Sequence, residues 1–154
     1  MQRLQFKVDI KAGSHLVYDV MLGLSKKSTY EEWTSVFNAG STYEGSWSKG
    51  SKIYFVGTSD NGDRGGMISQ IVDNLPGQFV SIRHYGILNG NEEILEGDQV
   101  EKWAGGIENY TYVENQDLTT VIVDLDAMEE YADYFQTTYP IALEKLKEIV
   151  EKSK

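Results

Sequence analysis

Few side chains in this sequence can do chemistry, and those few are carboxylates, phenols and two histidines. His84 sits in the run Phe79 to Leu88, which alternates as a strand and puts His84 on one face with Val80, Ile82 and Leu88. Turned inward, its ring could meet a ligand or act as a base; the plainer reading is a hydrogen-bonded core or rim histidine. Glu108, Tyr110 and Tyr112 share one face of a later strand, where a carboxylate and two phenols could line a cavity wall. Burial among aromatics would raise the pKa of Glu108, which is how a general acid or base is made. Ile107 and Val113 occupy the opposite face and claim the core by hydrophobicity, so periodicity leaves the inward face of this strand open.

Other patterns lead away from chemistry. His15 opens a short helix and reads as structural, and no HxH or HExxH spacing exists, so no metal site and no cofactor are expected. Gly45 to Lys52 has two glycines at P-loop spacing, but Ser51 and Lys52 stand in the wrong order and the context is a hairpin. Asp60 to Asp63 begins like a calcium loop without the later glutamate that closes one, and reads as a turn. Asn109-Tyr110-Thr111 spells a glycosylation sequon within a strand segment. With zero cysteines, disulfides, thiolate catalysis and cysteine-based zinc sites are excluded.

The bulk properties narrow the classes further. A net charge of -10 over 154 residues argues against a phosphate backbone as partner. Met1 to Ile10 alternates polar and apolar residues and contains no signal-peptide core, and no stretch approaches the ~20 apolar residues of a membrane span. The expectation is a cytoplasmic chain with no nucleic acid or membrane partner, forming a single domain over residues 1–154 as a monomer.

The elements that must position these residues can be read in order. Leu4, Phe6, Val8 and Ile10 alternate with polar residues as a first strand. Leu16 to Leu24 has helical spacing with Gly23 as a left-handed stop, and Ser28 with Glu31 has capping-box spacing ahead of Trp33, Val36 and Phe37. From Ser41 to Asp126 the chain reads as a meander: strands Thr42 to Trp47, Lys52 to Thr58, Gly66 to Val72, Phe79 to Leu88, Trp103 to Val113 and Leu118 to Leu125, with Asn89 to Asp98 a solvated loop. Asp126 to Lys154 is a long amphipathic helix, with Asp126 and Glu129 at cap spacing and Met128, Tyr131, Phe135, Thr138, Ala142, Leu146, Ile149 and Val150 on the apolar side. Pro140 lies on its polar side, where a kink would bend the helix around what it covers. One strand, two helices, six strands and a long helix make an α+β order.

Trp33 and the run Gly40-Ser41-Thr42-Tyr43-Glu44-Gly45-Ser46-Trp47-Ser48-Lys49-Gly50-Ser51-Lys52-Ile53 resemble the START-like (SRPBCC) superfamily, in the branch similar to the C-terminal domain of activators of Hsp90 ATPase. Gly65-Gly66-Met67, Phe79 to His84, Glu108-Asn109-Tyr110, and the stretch from Tyr139-Pro140 through Leu146-Lys147 extend the likeness over essentially the whole chain. The resemblance implies a helix-grip fold, a curved antiparallel sheet wrapped around the C-terminal helix with a cavity between them. It finds no counterpart here for the additional N-terminal domain of full-length Hsp90 activators.

On that reading the leading expectation is a binding module holding a small, largely apolar molecule. Phe55, Met67, His84, Trp103, Glu108, Tyr110, Tyr131, Tyr134 and Phe135 are the expected ligand-binding residues, lying beneath the first half of the long helix. No residue is assigned as catalytic. The alternatives are an interaction protein or co-chaperone related to Hsp90 activators, and a cyclase-like or hydrolase-like enzyme using His84 or Glu108.

Overall fold

A computed structural model describes residues 1–102 and 104–154, so the Trp103 expectation lies outside the described residues. The first strand, β1 (Gln2–Ile10), follows the alternation of its sequence: Leu4 and Ile10 are buried while Arg3, Gln5, Lys7 and Asp9 face solvent. Two helices follow, α1 (Ser14–Leu22) and α2 (Lys27–Thr34). Gly23 ends α1 in the left-handed conformation at φ 68°, which glycine adopts without a Cβ clash. Ser28 does not cap α2; Lys26 holds that position, and Glu31 instead accepts the Thr42 hydroxyl at 2.6 Å. The α2 helix is fastened to α1 by Trp33, 1% exposed, whose Nε1–H donates to the Met21 carbonyl at 2.8 Å.

The meander comprises β2 (Thr42–Gly45), β3 (Lys52–Thr58), β4 (Arg64–Leu75), β5 (Phe79–Asn89), β6 (Glu92–Ile94), β7 (Gly106–Asn115) and β8 (Leu118–Ala127), with a short helix α3 (Asp98–Glu101) before β7. Together with β1 these form an eight-stranded antiparallel sheet in the order β1-β8-β7-β5-β4-β3-β2, with β6 paired to β5. The expected solvated loop Asn89 to Asp98 is therefore partly ordered: Ile94 pairs with Ile87, and Glu93 takes the Tyr54 hydroxyl and the Lys52 ammonium, which gives a charged segment partners at the sheet edge.

Two local features shape the sheet beside the helices. Between the pairs Ile68–Gly86 and Ser69–His84 the β5 strand carries one extra residue, Tyr85. Past this bulge the faces exchange, so Ile87 turns to the concave side while Leu88 joins Val56 and Ile68 in a separate apolar cluster. Leu88 therefore does not share a face with His84. At Gly66, φ +156°, an added Cβ would stand 1.9 Å from the Phe55 carbonyl oxygen, so β3 and β4 approach there only because no side chain intervenes.

The chain ends in the long helix α4 (Glu129–Lys152), which packs on β1, β8, α1 and α2. Its apolar side is turned from the expected one: Ala132, Tyr139, Ala142, Leu143, Leu146 and Val150 are buried, whereas Tyr131 is 53% exposed. Asp126 does not cap it. That carboxylate stays in β8, where Arg3 Nε at 2.6 Å and the Ile107 N–H at 3.0 Å supply the donors a helix start would have offered, and Met128 holds the cap position. Glu129 and Glu130 in the first turn still oppose the positive end of the helix dipole. Pro140 is exposed, and the helix continues through it. The main core lies between the concave face and α1, α2 and α4.

Candidate functional site

The concave face does not close completely on the helices. A cavity of about 470 Å³ remains between β3, β4, β5 and β7, the chain from α2 to Ser41, and the first half of α4. Phe55, Met67, His84, Glu108, Tyr110, Tyr131, Tyr134 and Phe135 all border it, joined by Tyr30, Trp33, Phe37 and Tyr139, which the sequence reading left out. Tyr139 had a signal in its spacing, four residues after Phe135 on the same helical side.

Strand register assembles its polar part. Ser69 of β4 pairs directly with His84 of β5, while Glu108 of β7 stands opposite Ile82, one inward position along from His84. The resulting chain runs across three strands: Ser69 Oγ lies 2.6 Å from His84 Nδ1, and His84 Nε2 lies 3.0 Å from Glu108 Oε1. On its other oxygen Glu108 accepts the Tyr139 hydroxyl from α4 and, at 3.5 Å, the Tyr110 hydroxyl. An imidazole protonated on Nε2 satisfies both of its contacts, donating to Glu108 and accepting the Ser69 hydroxyl; a doubly protonated ring would donate to both. Phe55 stands edge-on to the imidazole with ring centroids 5.9 Å apart.

These contacts settle the strand that periodicity left open. Glu108 faces inward with Tyr110 and Tyr112, and Val113 is 48% exposed. Hydrophobicity misplaces the strand because it ignores compensation: a carboxylate with three donors can be buried where an unpartnered one could not. The same donors reverse the expected pKa shift. Burial pushes the Glu108 carboxyl up, but the hydrogen bond and charge of His84 and the Tyr139 and Tyr110 hydroxyls outweigh it and hold the group below its ordinary value. Burial, reinforced by the Glu108 charge, raises Tyr110 and Tyr139 well above an ordinary phenol, which keeps both as donors.

The arrangement presents the largely buried Glu108 carboxylate to a mostly apolar and aromatic space, with Asp126, paired to Arg3, also on its border. Ser69 has no exposed surface and does not border the cavity, so it orients the imidazole from behind. Among the described residues no cluster of three or more potential metal ligands occurs, and no helix is long and apolar enough to cross a membrane.

No family model and no curated protein sequence matches the chain. Its likeness is to solved structures. A protein of Mesorhizobium loti matches over 99% of each chain at 11% identity with a TM-score of 0.71. One of Nitrosomonas europaea matches over 99% of this chain and 96% of its own, at 10% identity and a TM-score of 0.72. The Aha1 dimer from Colwellia psychrerythraea matches over 98% of this chain and 97% of its own, at 20% identity and a TM-score of 0.65. The fold they share is an α+β helix grip, a curved antiparallel sheet with a long C-terminal helix. At these identities the likeness carries the architecture, and the chemistry has to be argued from the cavity itself.

Proposed function

We propose that the chain is a single START-like domain that binds a small, largely apolar molecule in the space between its sheet and α4. The observation that carries this reading is the cavity of about 470 Å³, walled mainly by aromatic and aliphatic side chains with one convergent polar cluster at Glu108. That size and this balance of many apolar contacts with few polar ones are the marks of a small-molecule site. The domain works in the cytoplasm as a monomer, and Phe55, Met67, Tyr131, Tyr134 and Phe135 contact the ligand body while His84, Glu108 and Tyr110 meet its polar end. Native mass spectrometry after gentle purification tests this: a retained molecule adds mass to the monomer, and the same spectrum reads the oligomeric state. A bare protein that also shows no thermal shift across a broad apolar screen would sink the reading.

A second reading, an interaction protein or co-chaperone related to activators of Hsp90 ATPase, draws support from the likeness of fold to the Aha1 dimer. The acidic surface or the exposed Tyr131, Tyr134 and Ile141 of α4 would then meet a protein partner. Co-purification with Hsp90, and stimulation of its ATPase, separates this reading from the first. The His84–Glu108 pair keeps a cyclase-like or hydrolase-like reaction as a third reading, in which these groups act on a proton or a water, because the Ser69 hydroxyl is sealed from the cavity.

A further inference from the structure

The cavity has an electrostatic sign as well as a size. Two carboxylates border it, Glu108 and Asp126, and among the described residues neither a lysine nor an arginine does. Asp126 is already compensated by Arg3 Nε at 2.6 Å. Glu108 has no such permanent cation beside it, only the His84 imidazole, whose charge depends on its protonation. Tyr139 and Tyr110 are neutral donors, and His84 brings a full charge only when its ring is doubly protonated. A carboxylate offers about four lone-pair positions. His84 takes one on Oε1 and the two phenols share Oε2, which leaves acceptor capacity on Oε1 for a group entering from the cavity.

Aromatic rings line the cavity that this carboxylate faces. Tyr30, Phe37, Phe55, Tyr134 and Phe135 border the same space, and ring faces attract cations through their quadrupoles. Beyond the site, the chain's net charge of -10 draws cations toward the molecule and repels anions.

Building on the binding function proposed above, we propose that the cavity selects organic amines in their ammonium form: an apolar aryl or alkyl body among the aromatic rings, with the N⁺–H group donating to Glu108. An ammonium there supplies the compensating charge that an imidazolium would otherwise have to provide. A carboxylate or phosphate head would face Glu108 with no bordering lysine or arginine to receive it, so fatty-acid-like ligands are selected against. An alcohol of the same shape keeps the hydrogen bond and lacks the charge.

Calorimetric titration at neutral pH with phenylbutylamine, phenylbutanol and phenylbutyrate tests this, since the three share one body and differ in the head. The amine is expected to bind about ten-fold tighter than the alcohol, and the acid about ten-fold weaker than the alcohol or not at all. In Glu108→Gln the amine and the alcohol should bind alike. If that variant does not fold, the order of the three probes on the unaltered protein decides. Equal binding of amine and alcohol, or tighter binding of the acid, overturns the amine selectivity while leaving the apolar-ligand function intact. Failure of all three to bind overturns the amine selectivity, and the apolar-ligand function falls with it only when the native mass spectrum and the broad apolar screen are negative as well.

Discussion

The Tyr139 hydroxyl of α4 donates to the Glu108 carboxylate of β7, so the long helix is joined to the sheet through a carboxylate on the cavity wall. Tyr139 is 2% exposed and stacks on Phe6 of β1 with ring centroids 4.9 Å apart, so its ring is held whether or not the hydroxyl is present. Tyr139→Phe therefore isolates the hydrogen bond from the packing. The expected loss is ~1.5 to 3 kcal/mol, the range for hydrogen bonds to charged groups. Urea denaturation at neutral pH measures it, and a loss below ~0.5 kcal/mol would mean that the hydroxyl does not support Glu108.

Acid should act on the same group. Burial alone would raise the Glu108 pKa, but His84, Tyr139 and Tyr110 together lower it, so the folded value lies beneath that of the unfolded chain. A carboxyl shifted in that direction contributes stability that is complete above the unfolded pKa of ~4.3 and disappears as the pH falls through the folded value. Stability of the unaltered protein should thus fall more steeply below ~pH 4.3 than that of Glu108→Gln. Asp126, also lowered, titrates in both proteins and cancels in the comparison. Parallel curves would show that Glu108 is not held ionised by its partners.

Much of this architecture could be read from the chain because local signals agreed with the final structure. The β1 alternation, the Gly23 stop and the aromatic meander each specify their own geometry within a few residues. The site was legible only in part. His84, Glu108 and Tyr110 stand out as polar groups on apolar strands, but their meeting depends on the pairing of β4, β5 and β7, which no local pattern encodes. Ser69 carried no signal at all, since it is singled out only by lying opposite His84. The bulge at Tyr85 moved Leu88 to the other face, and Arg3 won Asp126 from the helix start from 123 residues away. Each miss is a long-range partner overriding a sound local rule.

Gly66 should tolerate nothing larger. An alanine Cβ would meet the Phe55 carbonyl oxygen at 1.9 Å, and this atom is backbone, so relief requires β3 and β4 to separate. Phe55 and Met67 both border the cavity next to this point. Gly66→Ala is expected to cost more than ~2 kcal/mol, well beyond the usual glycine-to-alanine effect, and to weaken ligand binding as well. Chemical denaturation reads the first and titration of a bound apolar probe the second; a neutral substitution would mean that the two strands do not approach so closely.

The two halves of α4 should respond differently to truncation. Phe135 is only partly buried and borders an existing cavity, whereas Leu146 has no exposed surface and packs in the closed part of the core. Removing a side chain from a filled core leaves a new void and costs ~2 to 5 kcal/mol for leucine and ~3 to 5 for phenylalanine. At Phe135 part of that void is already present, because the ring contacts empty space on one side. Phe135→Ala should therefore cost less than Leu146→Ala, although phenylalanine is the larger residue. It should also change the affinity of an apolar ligand, which Leu146→Ala should leave nearly unaltered in the fraction that remains folded. Urea midpoints for both variants, with and without a saturating apolar ligand, provide the comparison. A full core penalty at Phe135 with no effect on ligand would show that the space beneath the first half of α4 is packed shut, and would transfer the argument to the exposed surface of that helix.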